Sequence, residues 1–366
     1  MEQKMLEIVS HFAIEGNVTE IAPLGNGLIN TTYKVTTEGA TPDYVLQNVN
    51  VAIFPDMDLL MNNIVEVTGH IRKKLEAAGT PDIDRKVLNF IPAKDGKMYH
   101  HDEAEDKYWR IMVYIPDTVS KTGVSLESAY IVGETFADFQ AKLADIPAQL
   151  GETIKDFHNM EWRLQQLKDA IAENRSGRAD EPEVKEILAD IFERADYYCK
   201  AEQLYREGKL PKRICHCDTK VDNILFDQDD SVLCVIDLDT VMPSFIFSDF
   251  GDFLRSAANT TAEDDPDLSK VSFNFEVFKA FTEGYLKGAA SFITPIEVEN
   301  LPYATGLFPY MTLVRFIADY INGDIYFRCQ YPEHNLVRSR NQLKLTKCVE
   351  AAFPQMEAFI AEQLKK

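Results

Sequence analysis

Four side chains with the right chemistry for one reaction stand close together in the stretch RICHCDTKVDNILFDQDDSVLCVIDLD, which runs from Arg213 to Asp239. They are Asp218, Lys220, Asn223 and Asp237. The pattern is H-x-D-x4-N with a second Asp nineteen residues after the first. A carboxylate can accept the proton of an attacking hydroxyl, an amide and a second carboxylate can hold a hard cation such as Mg²⁺ on phosphate oxygens, and a lysine adds a point charge. That set is what phosphoryl transfer needs, because the chemistry is mostly positioning and charge neutralisation. A lone D-x4-N arises by chance about once in a chain this long, so the fragment means little without its context.

The context is a hairpin. Ile224-Leu225-Phe226 is an apolar run, residues 227–231 form a polar turn, and Val232 to Ile236 is a second apolar run ending at Asp237. Folding back on itself, such a ribbon brings Asp237 beside Asn223. Asp239, two residues on, lies on the same face if the strand continues, and is a third candidate metal ligand. Asp249-Phe250-Gly251 spells the metal-binding tripeptide of protein kinases, but it follows a turn rather than a strand. Asp249 and Asp252 are expected instead to cap the next helix or hydrogen-bond the loop carrying Asp218. Cys215-His216-Cys217 is too tightly spaced for a structural zinc site, and His216 is expected to anchor the loop.

HCDTKVDNILFD followed by VIDLDTVMPSFIFSDFGD resembles the aminoglycoside phosphotransferase and choline kinase group of protein-kinase-like enzymes. Within that group, DTKVDN, DLDTVMP and RFIADYINGDIYF are similar to the N-acetylhexosamine 1-kinases. The resemblance spans nearly the whole chain. It implies an α+β, two-lobed protein-kinase-like fold, with an antiparallel sheet in the N-lobe and a mainly helical C-lobe. It also implies ATP as co-substrate, Mg²⁺, and phosphorylation of the anomeric C1 hydroxyl of N-acetylglucosamine or N-acetylgalactosamine. Asp218 would be the proton acceptor, Lys220 the stabilising charge, and Arg315 and Tyr326 readers of the sugar. Other acceptors of the same fold are choline, homoserine, aminoglycosides and methylthioribose; a catalytically silent nucleotide-binding module is the alternative of another class.

A helical stripe over residues 2–12 precedes two strands joined around Gly25-Asn26-Gly27, a turn able to bring backbone N–H groups to a phosphate, with Asn30 where a third glycine would stand. A G-x-G at a hairpin is also a plain turn. No G-x4-G-K-[ST] occurs, which excludes a P-loop enzyme. The third strand carries Gln47 where related kinases have a lysine on the phosphates; an amide can hydrogen-bond a phosphate but cannot neutralise it. A helix over residues 57–78 and strands over 85–91 and 108–114 complete a five-stranded sheet, and Tyr114-Ile115 begin a hinge expected to meet adenine. The lobes are therefore placed at 1–115, which binds the nucleotide, and 116–366, which holds the catalytic and substrate-binding groups. In the second, a helix over 307–321 contains Arg315 on an apolar background. A buried arginine needs an acid such as Asp319 at i+4 or a ligand oxygen.

Composition narrows the partners. The net charge, 38 − 59 = −21, argues against a general nucleic-acid or anionic-membrane binder. No run approaches the roughly 18 apolar residues of a membrane helix. The start MEQKMLEIVSHF lacks a basic segment followed by an apolar one, and six cysteines show no framework spacing. A cytoplasmic monomer or homodimer acting on a small sugar is the expectation.

Overall fold

The computed structural model describes residues 2–25, 29–121 and 123–365. It divides into two compact units, residues 1–121 with 145–155 and 222–242, and residues 122–144 with 156–221 and 243–366. The sequence suggests one boundary near residue 116. In the structure two later segments, one of them the Asn223–Asp237 hairpin, also belong to the first unit.

The first unit is built on an antiparallel sheet. Its strands are β1 (Val18–Pro23), β2 (Thr31–Thr37), β3 (Tyr44–Val49), β4 (Phe90–Ile91), β5 (His100–Asp102) and β6 (Lys107–Val113), in the order β1-β2-β3-β6-β4 with β5 also on β6. Among the described residues this sheet has six strands, one more than expected. The expected strand over 85–91 shrinks to two residues, because Ile83–Lys86 forms a helical turn. There Arg85 is ion-paired to Asp227 at 2.9 Å and Lys86 donates to the Val232 carbonyl at 3.2 Å. Helix α1 (Glu2–Ser10) lays Ile8 and Val9 on one sheet face, where they bury Val35, Tyr44, Leu46, Trp109 and Ile111. Alternation along β3 sends Gln47 to the opposite face from Leu46. Helix α2 (Met57–Ala77) starts where the Asp56 carboxylate accepts from the Leu59 N–H and buries Leu60, Met61, Ile64 and Val67. Its fully buried Asn63 donates to the Gly151 and Val241 carbonyls, at 2.8 and 3.0 Å.

The second unit is helical. Helix α3 (Leu126–Leu143) opens with a reciprocal Ser125–Ser128 cap and lies along α4 (Phe275–Ala289), which is capped by Asn274. A Cβ on Gly284 would fall 2.0 Å from the Tyr130 carbonyl oxygen, and one on Gly133 would fall 2.2 Å from that of Phe281. These helices touch backbone to backbone, which only glycine permits. Helix α5 (Leu301–Asn322) extends further toward the N-terminus than the apolar stripe over 307–321 indicated, and ends at Gly323 in the left-handed conformation with φ 95°. Residues 182–206 form two helices, Pro182–Tyr198 and Lys200–Arg206, broken at Cys199. Among the described residues, no helix is long and apolar enough to cross a membrane.

Gly284→Ala should destabilise the second unit by about 1–3 kcal/mol through overpacking, read by calorimetry as a lower Tm. An unchanged Tm would contradict the backbone contact.

Candidate active site

In the first unit the hairpin pairs as expected. Ile224–Phe226 and Val232–Val235 run antiparallel with Ile224 opposite Val235, and the Ile236 N–H donates to the Asn223 carbonyl at 2.9 Å. The two ends of the ribbon therefore meet, with Asn223 buried and Asp237 exposed in the left-handed region at φ 60°, ψ 55°. A non-glycine residue held there marks a constrained position. An amide and a carboxylate at one end of a short ribbon are hard oxygen donors, and they would suit Mg²⁺, which would supply charge neutralisation on phosphates.

Asp239 has a different environment. It is buried, one carboxylate oxygen lies 2.6 Å from the Arg110 guanidinium, and the other accepts from the Asn30 amide at 2.7 Å. Thr153 also donates to its backbone carbonyl at 2.8 Å. The Asp239 side chain, anticipated as a metal ligand alongside Asp237, is thus held between Arg110 and Asn30. Asn30 is likewise occupied on both sides, since its carbonyl oxygen accepts from the Asn50 N–H at 3.0 Å. Gln47 lies opposite Arg110 in the β3–β6 register, and its side-chain oxygen accepts from Arg110 twice, at 3.0 and 2.8 Å. Its amide nitrogen donates to the Thr32 hydroxyl at 3.2 Å. Gly25 has φ 69°, the positive value a tight turn requires; Asn26 and Gly27 lie outside the described residues. At the expected hinge the Tyr114 N–H donates to the Asp43 carbonyl at 2.8 Å, Lys34 sits over the Tyr114 ring at 4.3 Å, and Ile115 is buried.

In the second unit the loop carrying Asp218 is fixed from beneath. The fully buried Asp249 carboxylate accepts from the backbone N–H groups of His216 and Cys217, at 3.0 and 2.7 Å, and from Gln140 at 2.7 Å. Asp252 accepts from the Thr219 N–H at 3.2 Å, and the Thr219 hydroxyl donates to the Asp249 carbonyl at 2.8 Å. The tripeptide that mimics a metal site is thus a loop clamp. Burial, with Asp218 adding to it, pushes the Asp252 carboxyl up to about 7, and burial also raises Asp249. Cys217 takes φ 64°, and the buried His216 ring is met edge-on by Phe136 at 5.1 Å. Between these clamps Asp218 is half-buried, with Lys220 Nζ 2.9 Å from its carboxylate.

Arg315 does not pair with Asp319. The Asp319 carboxylate accepts instead from the backbone N–H groups of Ile325, Tyr326 and Phe327, at 3.0, 2.8 and 3.0 Å, which shapes the segment carrying Tyr326. The Arg315 guanidinium lies among the rings of Phe157, Tyr326 and Phe327, at 5.9, 5.8 and 5.3 Å, and burial lowers its pKa. Among the described residues no carboxylate forms an ion pair with it. Burial and then Arg315 bring the neighbouring Arg163 down to about 10.

Residues 20–276 match the APH family model, described as the phosphotransferase enzyme family. The chain belongs to that family. Solved structures share its fold at low identity. An aminoglycoside phosphotransferase from Alicyclobacillus acidocaldarius superposes with a TM-score of 0.60 at 11% identity, covering 97% of this chain and 96% of that one. A choline kinase from Cryptosporidium parvum gives 0.59 at 15% identity over 98% and 99%. A spectinomycin phosphotransferase in complex with ADP and spectinomycin gives 0.55 at 13% identity over 97% and 99%. The fold is that of the protein-kinase-like phosphotransferases.

Asp249→Ala would orphan two buried backbone N–H groups and the Gln140 amide. It should cost at least about 3 kcal/mol, measured by urea unfolding; a loss below about 1 kcal/mol would contradict the clamp.

Proposed function

We propose that this phosphotransferase moves the γ-phosphoryl group of ATP to the C1 hydroxyl of a free N-acetylhexosamine. The observation carrying the proposal is the clamped loop. Residues on both sides of Asp218 are held by the carboxylates of the buried Asp249 and the half-buried Asp252, so that its own carboxylate is presented, with a lysine 2.9 Å away, in a fixed backbone. Asp218 orients the sugar hydroxyl and takes its proton as the new oxygen–phosphorus bond forms and the bond to the leaving ADP oxygen breaks. Lys220 places positive charge on the moving group. Asn223 and Asp237 would hold Mg²⁺, which supplies charge neutralisation on the phosphates. Gly25, Asn26, Gly27, Asn30 and Gln47 are assigned to the phosphate-binding side of the first unit, and Tyr114 and Ile115 to adenine.

For the acceptor, Arg315 supports a sugar. A guanidinium without a carboxylate partner, set among three aromatic rings, offers donors to hydroxyl or acetyl oxygens and apolar faces to a sugar ring. The same group repels a cationic acceptor, which disfavours choline and aminoglycosides. Tyr326, on the segment shaped by Asp319, is the second reader. The similarity of DTKVDN, DLDTVMP and RFIADYINGDIYF to the N-acetylhexosamine 1-kinases selects among sugars. A cytoplasmic location accords with this reading.

Asp218→Asn should retain Mg-ATP binding while turnover, followed as ADP release in the presence of N-acetylglucosamine, falls about 10²–10⁴-fold; unchanged turnover would remove Asp218 from its role. In the same assay N-acetylglucosamine or N-acetylgalactosamine should stimulate ADP release above choline, homoserine, an aminoglycoside or methylthioribose. Bound nucleotide with no stimulation by any of them would indicate a silent module.

A further inference from the structure

The phosphate-facing lysine of related kinases is absent from β3, yet the position is not without positive charge. Arg110, directly across the β3–β6 ladder from Gln47, is 2% exposed and reaches two acceptors at once. Its Nε and one terminal nitrogen donate to the Gln47 side-chain oxygen, and the other terminal nitrogen lies 2.6 Å from Asp239. The Phe90 ring, 5.5 Å from the guanidinium carbon, helps exclude water from the ion. A guanidinium has donors only, so two contacts from it settle which end of the Gln47 amide is oxygen. The amide NH₂ must then point away from Arg110, as its bond to the Thr32 hydroxyl confirms. That NH₂ carries two hydrogens, and Thr32 takes one.

We infer that Arg110 is a positioning residue that replaces the missing lysine at one remove, orienting and polarising the Gln47 amide so that its remaining N–H donates to a nucleotide phosphate oxygen. The inference rests on the kinase reading above. Two charge-assisted bonds to the amide oxygen draw electron density from its nitrogen, making it a stronger donor than a solvated glutamine. Asp239 balances the buried cation, and Asn30 holds Asp239 from its other side at 2.7 Å. Lysine on β3 delivers a charge directly; here the charge stays buried and only the donor is presented.

The test is calorimetric titration of the full chain with Mg-ATP and, separately, with adenosine. Gln47→Glu has the same shape and gives Arg110 a stronger partner, so the fold is retained, but the donor becomes a negatively charged acceptor. Mg-ATP affinity should fall about tenfold to a hundredfold while adenosine affinity is unchanged. The transposed double variant Gln47→Lys with Arg110→Gln, which keeps one cation beside Asp239 and places it on β3, should bind Mg-ATP within about fivefold of wild type. Gln47→Glu binding Mg-ATP as wild type does, or the transposed protein binding as weakly as Gln47→Glu, would overturn the inference. Wild-type protein that binds no Mg-ATP would overturn the kinase reading itself, and the inference with it.

Discussion

A single buried ion pair organises the first unit. Arg110 projects from the middle of a sheet strand, and Asp239 follows the hairpin that carries Asn223 and Asp237; they lie 2.6 Å apart with almost no exposure. A charge removed from water is tolerated only when paired and hydrogen-bonded. Here Arg110 also holds Gln47, and Asp239 also accepts from Asn30, so neither ion has an alternative partner as good. Sheet, turn and hairpin are thereby fixed together, and the buried Asn63 on α2 ties the same segment through the Val241 carbonyl.

The second unit uses the same device differently. Asp249 is buried, among the described residues without an ion-pairing arginine, and backbone N–H groups and one glutamine solvate it. Its raised pKa reflects incomplete compensation of that burial. What the arrangement secures is a rigid loop at Asp218, including the left-handed Cys217. Asp319 acts in parallel on the segment after α5, satisfying three consecutive backbone N–H groups. In each case a carboxylate shapes the backbone that presents a neighbouring residue.

Much of this was legible in the residues. The two apolar runs around a polar turn identify the Asn223–Asp237 ribbon, because a strand's period and a turn's composition are local properties. Gly323 marks a helix end for the same reason. Asp249 was separable from a metal ligand because it follows a turn. What escaped was non-local. Arg110 stands in the strand KYWRIMV, and a lone arginine in such an apolar run does signal a buried partner; that the partners are Gln47 and Asp239 depends on strand register and chain folding over more than a hundred residues. An Arg315–Asp319 pair was one of the two options helical spacing left open, and three backbone donors beyond the helix end take the Asp319 carboxylate instead. The helical turn at Ile83–Lys86 likewise depends on Asp227, a residue far along the chain.

The proposed reaction, with Asp218 as proton acceptor, is phosphorylation of the anomeric oxygen of an N-acetylated sugar. The most direct measurement is phosphorus–proton correlation NMR of the product formed from ATP, Mg²⁺ and N-acetylglucosamine. The expected product shows a phosphorus nucleus coupled to the anomeric proton, as in a sugar 1-phosphate. Coupling to the C6 protons instead, or no phosphorylated sugar after prolonged incubation with nucleotide-binding enzyme, would contradict it.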